Sequence, residues 1–554
     1  MRLIFGEDGT FQNFFRGKDE HKALIQSGII VVLFLVLYWL SPASSWETND
    51  DVYYNLVVSG KLLTSAPDAH IVVVNYCLSS LFVLLYTFLP NLPWYGLFHV
   101  TSLLFSVFFL NYCYGLARQN EKFCVRVVVS LLTVLPFLVY LQFTKTALML
   151  GVAGLLGLYL LNEASSLSCR HSLILHISAL LLIVLSFSLR KESFFLAVIL
   201  CGAFLAQALL QRKRALITTT VAASILITLF ALVHMQNYGA EWQDFNRLGR
   251  LSNAILNYGH YGFSENRDVY QQVGWSWNDY NLFRSWGYSD PNVFSPDDSE
   301  YIFENARVKS GPRPFFASLR AATAFPATNY LLTLAILAVL MVIIYRRNLI
   351  FLFLGVLLPL LVCAVFLTWE GRFPTRVSTA MACASLWVVL VQSGTIRSQA
   401  LVLAASVLAL TVAAVPVYGQ AKDLSEIARY RQNQNIELWQ LGAQAAQRPF
   451  ILVVMGASFP YEGILPFSPI DDLSGIRIVW LCGMNQTPVQ KKQLADLGID
   501  DLFSDLTSKR DMYIALAPVE VGIVRQYILE HYQQAVNLLP IYSRSTMRLY
   551  RVVN

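Results

Sequence analysis

Residues 193–210, SFFLAVILCGAFLAQALL, and residues 215–235, ALITTTVAASILITLFALVHM, are apolar runs separated only by Gln211-Arg212-Lys213-Arg214. A helix that crosses a bilayer needs about 20 mostly apolar residues, and each run is of that order. The basic tetrad is the kind of short loop that stays in the cytoplasm. The stretch therefore reads as a helical hairpin in a membrane. Working outward, similar runs lie at 23–42, 70–90, 95–116, 124–143, 145–161, 172–189, 328–345, 349–368, 377–393 and 399–418. Composition agrees with this reading. The 554 residues are 56% hydrophobic and 14% charged, against about 25% charged in a typical soluble domain. Mean hydropathy is +0.51. Disorder, collagen and coiled coil are excluded. A net charge of +6 without a dense Lys/Arg run argues against nucleic acid as a partner.

The expected fold is an all-α polytopic membrane bundle of about 11–13 spans carrying a small extracytoplasmic α/β domain at its C-terminal end. The expected divisions are a cytoplasmic segment 1–22, a bundle 23–418 and an extracytoplasmic domain 419–554. The bundle includes an acidic external loop, 43–69, and a large external loop, 236–327. With the tetrad inside, Arg346-Arg347 also falls inside, and 236–327 and the tail fall outside. Arg16, Lys18 and Lys22 favour a cytoplasmic N-terminus. An inside start and an outside end need an odd number of spans, whereas twelve runs are counted. One segment is therefore miscounted: either it is re-entrant, or a helix between 70 and 161 is merged or split. The polar N-terminal residues, Glu7, Asp8, Asp19 and Glu20 among them, do not read as a cleavable signal.

Eight cysteines, mostly in apolar runs and without a CxxC pair, suggest buried hydrophobes rather than disulfides or zinc ligands. The eight histidines form no HExxH or other paired spacing. The tail alternates apolar strand runs, 450–455, 476–481 and 512–516, with helices at 488–497 and 519–532, which predicts a mainly parallel sheet. It has thirteen basic and thirteen acidic residues and no glycine-rich phosphate loop or GxSxG elbow.

Scarce charge is informative in such a chain, because charges at span ends are costly and mark functional candidates. The first external loop contains Trp46-Glu47-Thr48-Asn49-Asp50-Asp51. Paired acids near a bilayer suit a general base or a divalent-cation ligand. Asn49 or Asp50 could equally cap an amphipathic surface helix over 52–63. On the same expected side lie Lys145, the cluster Arg190, Lys191 and Glu192, and the cluster Glu370, Arg372 and Arg376. Arginines suit bidentate phosphate contacts; snorkelling or structural ion pairing is the plainer alternative. In the large external loop, Gly274-Trp275-Ser276-Trp277-Asn278-Asp279-Tyr280 reads as a binding element centred on Trp275 and Asp279, or as the loop's own aromatic core.

Together with Asn75-Tyr76, Trp94-Tyr95-Gly96, Gln142-Phe143-Thr144-Lys145 and Gly371-Arg372-Phe373-Pro374-Thr375-Arg376-Val377, these motifs resemble the glycosyltransferase-C superfamily, polytopic enzymes that use polyprenyl-phosphate-linked sugars. The WWD-type signature of oligosaccharyltransferases is missing, so a protein N-glycosylation role is not supported. The resemblance implies a multi-pass protein of the bacterial inner membrane. It implies transfer of a sugar, with inversion, from a polyprenyl-phosphate donor to a cell-envelope glycan, lipid or protein. Asp50 or Asp51 would activate the acceptor, with Glu47 a further acid. Arg372 and Arg376, then Arg190 and Lys145, would hold the donor phosphate; Glu192 and Glu370, in the same charge clusters, are further substrate-binding candidates. A divalent cation, Mg or Mn, could be held by Asp50 and Asp51 but is not required. The competing readings are a polysaccharide polymerase or ligase, a lipid-linked-sugar transporter, and a non-catalytic envelope assembly protein.

Overall fold

The computed structural model describes residues 8–40, 44–64, 66–118, 123–164, 167–211, 214–307, 374–393, 426–468, 473–544 and 547–553, with Leu361 and Val365 singly. Apart from those two residues, the expected spans 328–345, 349–368 and 399–418 lie outside the described residues, as do Glu370 and Arg372.

The helices α1 (Asp8–Leu40), α4 (Trp94–Ala117), α5 (Phe123–Val139), α6 (Phe143–Glu163), α7 (Cys169–Leu189), α8 (Lys191–Leu210) and α9 (Arg214–Asn237) fall where apolar runs were expected, as does a helix Thr375–Ser393. Six of them, α1, α4 and α6 to α9, contain a stretch long and apolar enough to cross a membrane. The chain is a multi-pass membrane protein. At the centre is α6, wholly buried over its span. It can be so because Gly151 and Gly154 bring its backbone against α7 and α8. A Cβ on Gly151 would stand 2.8 Å from the Ala197 Cβ, and one on Gly154 would stand 3.0 Å from the Ala179 carbonyl. Small residues at helix contacts are the usual means of close packing in lipid, where apolar burial gives no drive.

Polar pairs sort the helix ends onto two faces. On one, Arg118 meets Glu163 at 2.5 Å, His171 meets Glu20 at 3.1 Å and Asn162 meets Gln211. On the other, β1 (Ser45–Trp46) pairs in parallel with β2 (Tyr140–Leu141), and Arg190 reaches Thr144. This second face carries the site.

The same sorting bears on the parity conflict. The helix α3 (Tyr76–Phe88), expected as a span over 70–90, starts on the site face, where the Asn75 N–H donates to Ser188 O at the end of α7. It finishes there as well. The Tyr86 hydroxyl donates to Asn55 and accepts from the N–H of Tyr95, in the first turn of α4. Thirteen residues make about 20 Å of helix, against about 30 Å of hydrocarbon. Its exposed Leu81, Leu84 and Phe88 suit a helix lying in the membrane surface. Hydropathy alone cannot separate that case from a span. Without 70–90, the expected runs number eleven, which is odd.

Between α1 and α3, α2 (Asn49–Ser59) also departs from expectation. Its N-cap is Thr48, and from Asp51 to Ser59 every residue is buried. It is clamped between the bundle and the tail, where the Leu62 carbonyl accepts from the Ile478 N–H. The external loop folds into short helices α10 (Gln243–Ser252), α11 (Arg267–Gln272), α12 (Trp277–Arg284) and α13 (Pro296–Asn305). A helix over 426–447 leads into a five-stranded sheet, ordered β4-β3-β5-β7-β6. The strands β3 (Phe450–Val454), β4 (Ile476–Trp480) and β5 (Met512–Ala515) are parallel, as expected. The antiparallel hairpin of β6 (Asn537–Ser543) and β7 (Arg548–Val553) was not foreseen. Pro540 within β6 weakens a strand signal, and the residue is tolerated because β6 is an edge. Loop and tail share one apolar core, in which Trp275, Phe283 and Phe294 pack with Val453, Phe503 and Tyr527.

Candidate active site

On the site face a cavity of about 1000 Å³ lies between the bundle, the external loop and the tail. The bundle contributes Asp50, Thr144, Arg190, Glu192 and Arg376, the loop contributes Asn253, Tyr258 and Trp286, and the tail contributes Gly456 and Trp480. Three segments far apart in sequence are therefore needed to close it.

The two neighbouring acids of α2 have different surroundings. Asp50 is exposed and lines the cavity. Asp51 is fully buried and has no place in the lining. Its carboxylate accepts from the Thr48 hydroxyl at 3.0 Å, the Phe143 N–H at 3.1 Å and the Tyr95 hydroxyl at 3.3 Å. Burial pushes this carboxyl well above the usual range, and the Asp50 charge beside it acts in the same direction. Asp51 ties α2 to the starts of α4 and α6, and so sets where Asp50 points.

Arg190 forms the junction of α7 and α8. One guanidinium nitrogen donates to Thr144 Oγ1 at 2.7 Å, and the group lies 4.8 Å from the centre of the Phe143 ring. Its Nε is 3.6 Å from a Glu192 oxygen and makes no hydrogen bond among the described residues. Burial lowers the Arg190 pKa, Glu192 opposes this, and the nearby Arg376 charge reinforces it. Arg376, in the first turn of the helix Thr375–Ser393, likewise has a buried Nε with no partner among the described residues. Buried donors are nearly always satisfied. Two arginines that line a cavity with N–H groups to spare are suited to an anion. The cavity also has an apolar flank in Phe195 and Ile199 of α8, which are 54% and 49% exposed.

Other expected site residues lie elsewhere. Lys145 is buried and pairs with Glu47 at 2.6 Å, over the Phe137 ring; neither residue lines the cavity. Trp275 is a core residue whose indole N–H donates to Val293 O. Asp279 closes a capping box with Ser276 at the start of α12 and accepts from His531 at 2.8 Å. With Asp51 saturated by three donors, Asp50 and Asp51 do not present a two-carboxylate metal site. Among the described residues, the one grouping of three potential metal ligands is Asp279, Glu530 and His531, at the junction of loop and tail. Thr144 lies in a motif noted in the sequence, whereas Asn253, Tyr258, Trp286 and Gly456 were not foreseen and reach the cavity only through tertiary packing.

No family model matches the chain, and no curated relative matches it. Two solved structures do. The chain is similar to ArnT from Cupriavidus metallidurans. One structure is of the apo state and one is bound to undecaprenyl phosphate, with 10% and 11% sequence identity. Each alignment covers 94% of this chain and 97% of ArnT, with a TM-score of 0.39. A likeness of that size assigns neither substrate nor reaction, which rest on the cavity itself.

Proposed function

We propose that this protein is a membrane glycosyltransferase that moves a sugar from a polyprenyl-phosphate donor to a cell-envelope acceptor on the outer face of the bacterial inner membrane. The observation that carries the reading is one cavity lined by an exposed carboxylate, Asp50, and by two arginines, Arg190 and Arg376, whose Nε groups make no hydrogen bond among the described residues, with an apolar flank on α8. In this reading the donor's lipid lies against Phe195 and Ile199, and its phosphate is held by Arg190 and Arg376. The C–O bond between the anomeric carbon and the phosphate breaks. The arginines stabilise the charge that develops on the departing phosphate. Asp50 takes the proton from the acceptor hydroxyl as its oxygen attacks that carbon from the opposite side, which inverts the centre. Glu192 holds Arg190 in position. The resemblance of the motifs to the glycosyltransferase-C superfamily points the same way.

The test is a comparison of envelope glycans, by mass spectrometry, from cells that carry the wild type, Asp50→Asn or Arg376→Ala at equal membrane abundance. Loss of one sugar decoration in both variants supports the proposal. Shortened polymer chains with every decoration present would indicate a polymerase instead, and unchanged glycans would remove the enzymatic reading.

A further inference from the structure

The wall of the cavity formed by loop and tail has features that the donor does not use. Trp286 follows the end of α12, and the Trp286 and Gly287 N–H groups donate back to Phe283 O and Leu282 O. Its φ is +65°. At this point of a helix end, the left-handed region ordinarily holds glycine or asparagine, and a bulky residue there is strained. The ring is not used to fill the core, since Trp286 is 42% exposed and lines the cavity. Nearby, the backbone of α10 continues into a π-helical turn over Asn253–Asn257. Such turns are rare and recur at functional sites. It brings Asn253 and Asn257 to the lining, followed by Tyr258. The tail yields to this wall. Gly456, itself at φ +51°, approaches so closely that a Cβ would stand 3.1 Å from Ser285 O and 3.8 Å from the Trp286 ring.

The wall therefore offers flat aromatic faces beside neutral side-chain amides, with no carboxylate or cation of its own among the residues named. That chemistry suits a sugar ring, whose C–H face lies on an aromatic plane while its hydroxyls exchange hydrogen bonds with amides. The Asn257 amide donates to Asn253 Oδ1, and the pair presents an uncharged polar edge that a fatty acyl chain would desolvate without compensation and a sugar would not; a phosphorylated acceptor would look for a cation. We infer that the acceptor of this transferase is itself a glycan, whose terminal sugar lies against Trp286 and is held by Asn253 and Asn257. This inference rests on the proposed function and deepens it, because it names the class of the acceptor.

Glycine is the residue this backbone favours, so Trp286→Gly separates binding from folding. The full-length protein in detergent is offered two probes, an array of bacterial-envelope oligosaccharides and polyprenyl phosphate. The expected result is that the wild type binds at least one array glycan, and that Trp286→Gly binds it at least about ten-fold more weakly. Its thermal stability should be equal or higher, and its polyprenyl phosphate affinity unchanged. Asn253→Ala, an exposed position, should weaken the same glycan several-fold. A wild type that binds no glycan, or a Trp286→Gly protein that binds it as well as the wild type, overturns the inference. Failure of the wild type to bind polyprenyl phosphate would instead overturn the donor assignment, whatever the array shows.

Discussion

Two regions of the site face carry the same residue types and have different chemical fates. In the lock formed by α2 and the start of α6, Asp51, Glu47 and Lys145 find partners within the protein. Asp51 takes three donors, and Lys145 pairs with Glu47. Beside it on the same face, Asp50, Arg190 and Arg376 line open space, and the Nε of both arginines makes no hydrogen bond among the described residues. The lesson concerns satisfaction rather than charge. A costly charge that the fold satisfies is part of the frame, and one left partly unsatisfied is available to a substrate.

The comparison fails if the lock proves catalytic or the cavity inert. The largest effect is expected at the cavity. Asp50→Asn should lower transfer about 10²–10⁴-fold, the usual worth of a general base, with normal yield of folded protein. Arg376→Ala should lower it about 10²–10³-fold. Both are read as sugar transferred per mole of protein in membrane vesicles.

The lock should respond in stability. Glu47→Gln leaves the Lys145 ammonium buried and uncompensated, at about 3 kcal/mol, and adding Lys145→Met should recover most of that loss. Asp51→Asn keeps a smaller acceptor set and should cost about 1–3 kcal/mol while sparing most activity per folded molecule. Thermal inactivation of the detergent-solubilised protein measures both. The smallest effect is a pH response where loop meets tail. The hydrogen bond to Asp279 raises the pKa of His531 above its ordinary value. Its stabilisation is fully present below about pH 6.5 and is lost as pH rises through the raised value. Protease sensitivity of the external loop should increase across that window, and His531→Ala should abolish the dependence.

Some of this could be read in the sequence, because apolar length and the cost of charge are local properties. The described spans, the three parallel strands, and the gathering of Asp50, Arg190, Glu192 and Arg376 on one face followed from them. What could not be read depended on partners distant in the chain. Asp50 and Asp51 look equivalent until Phe143, 92 residues further on, brings its N–H to one of them. Trp275 and Trp286 both belong to an aromatic loop. Only packing places the first in a core, and only a left-handed backbone holds the second in the cavity. A short surface helix such as α3 has the hydropathy of a span and reveals itself by its length and by where both ends are tied.

The most direct measurement of the central claim is transfer of labelled sugar from the polyprenyl-phosphate pool to envelope acceptor in membrane vesicles, with Asp50→Asn and Asp51→Asn compared side by side. Asp50→Asn is expected to lower transfer at least about 100-fold in a normally folded protein, whereas Asp51→Asn should be less stable but active. Full transfer by Asp50→Asn, or inactivity of a well-folded Asp51→Asn protein, would contradict it.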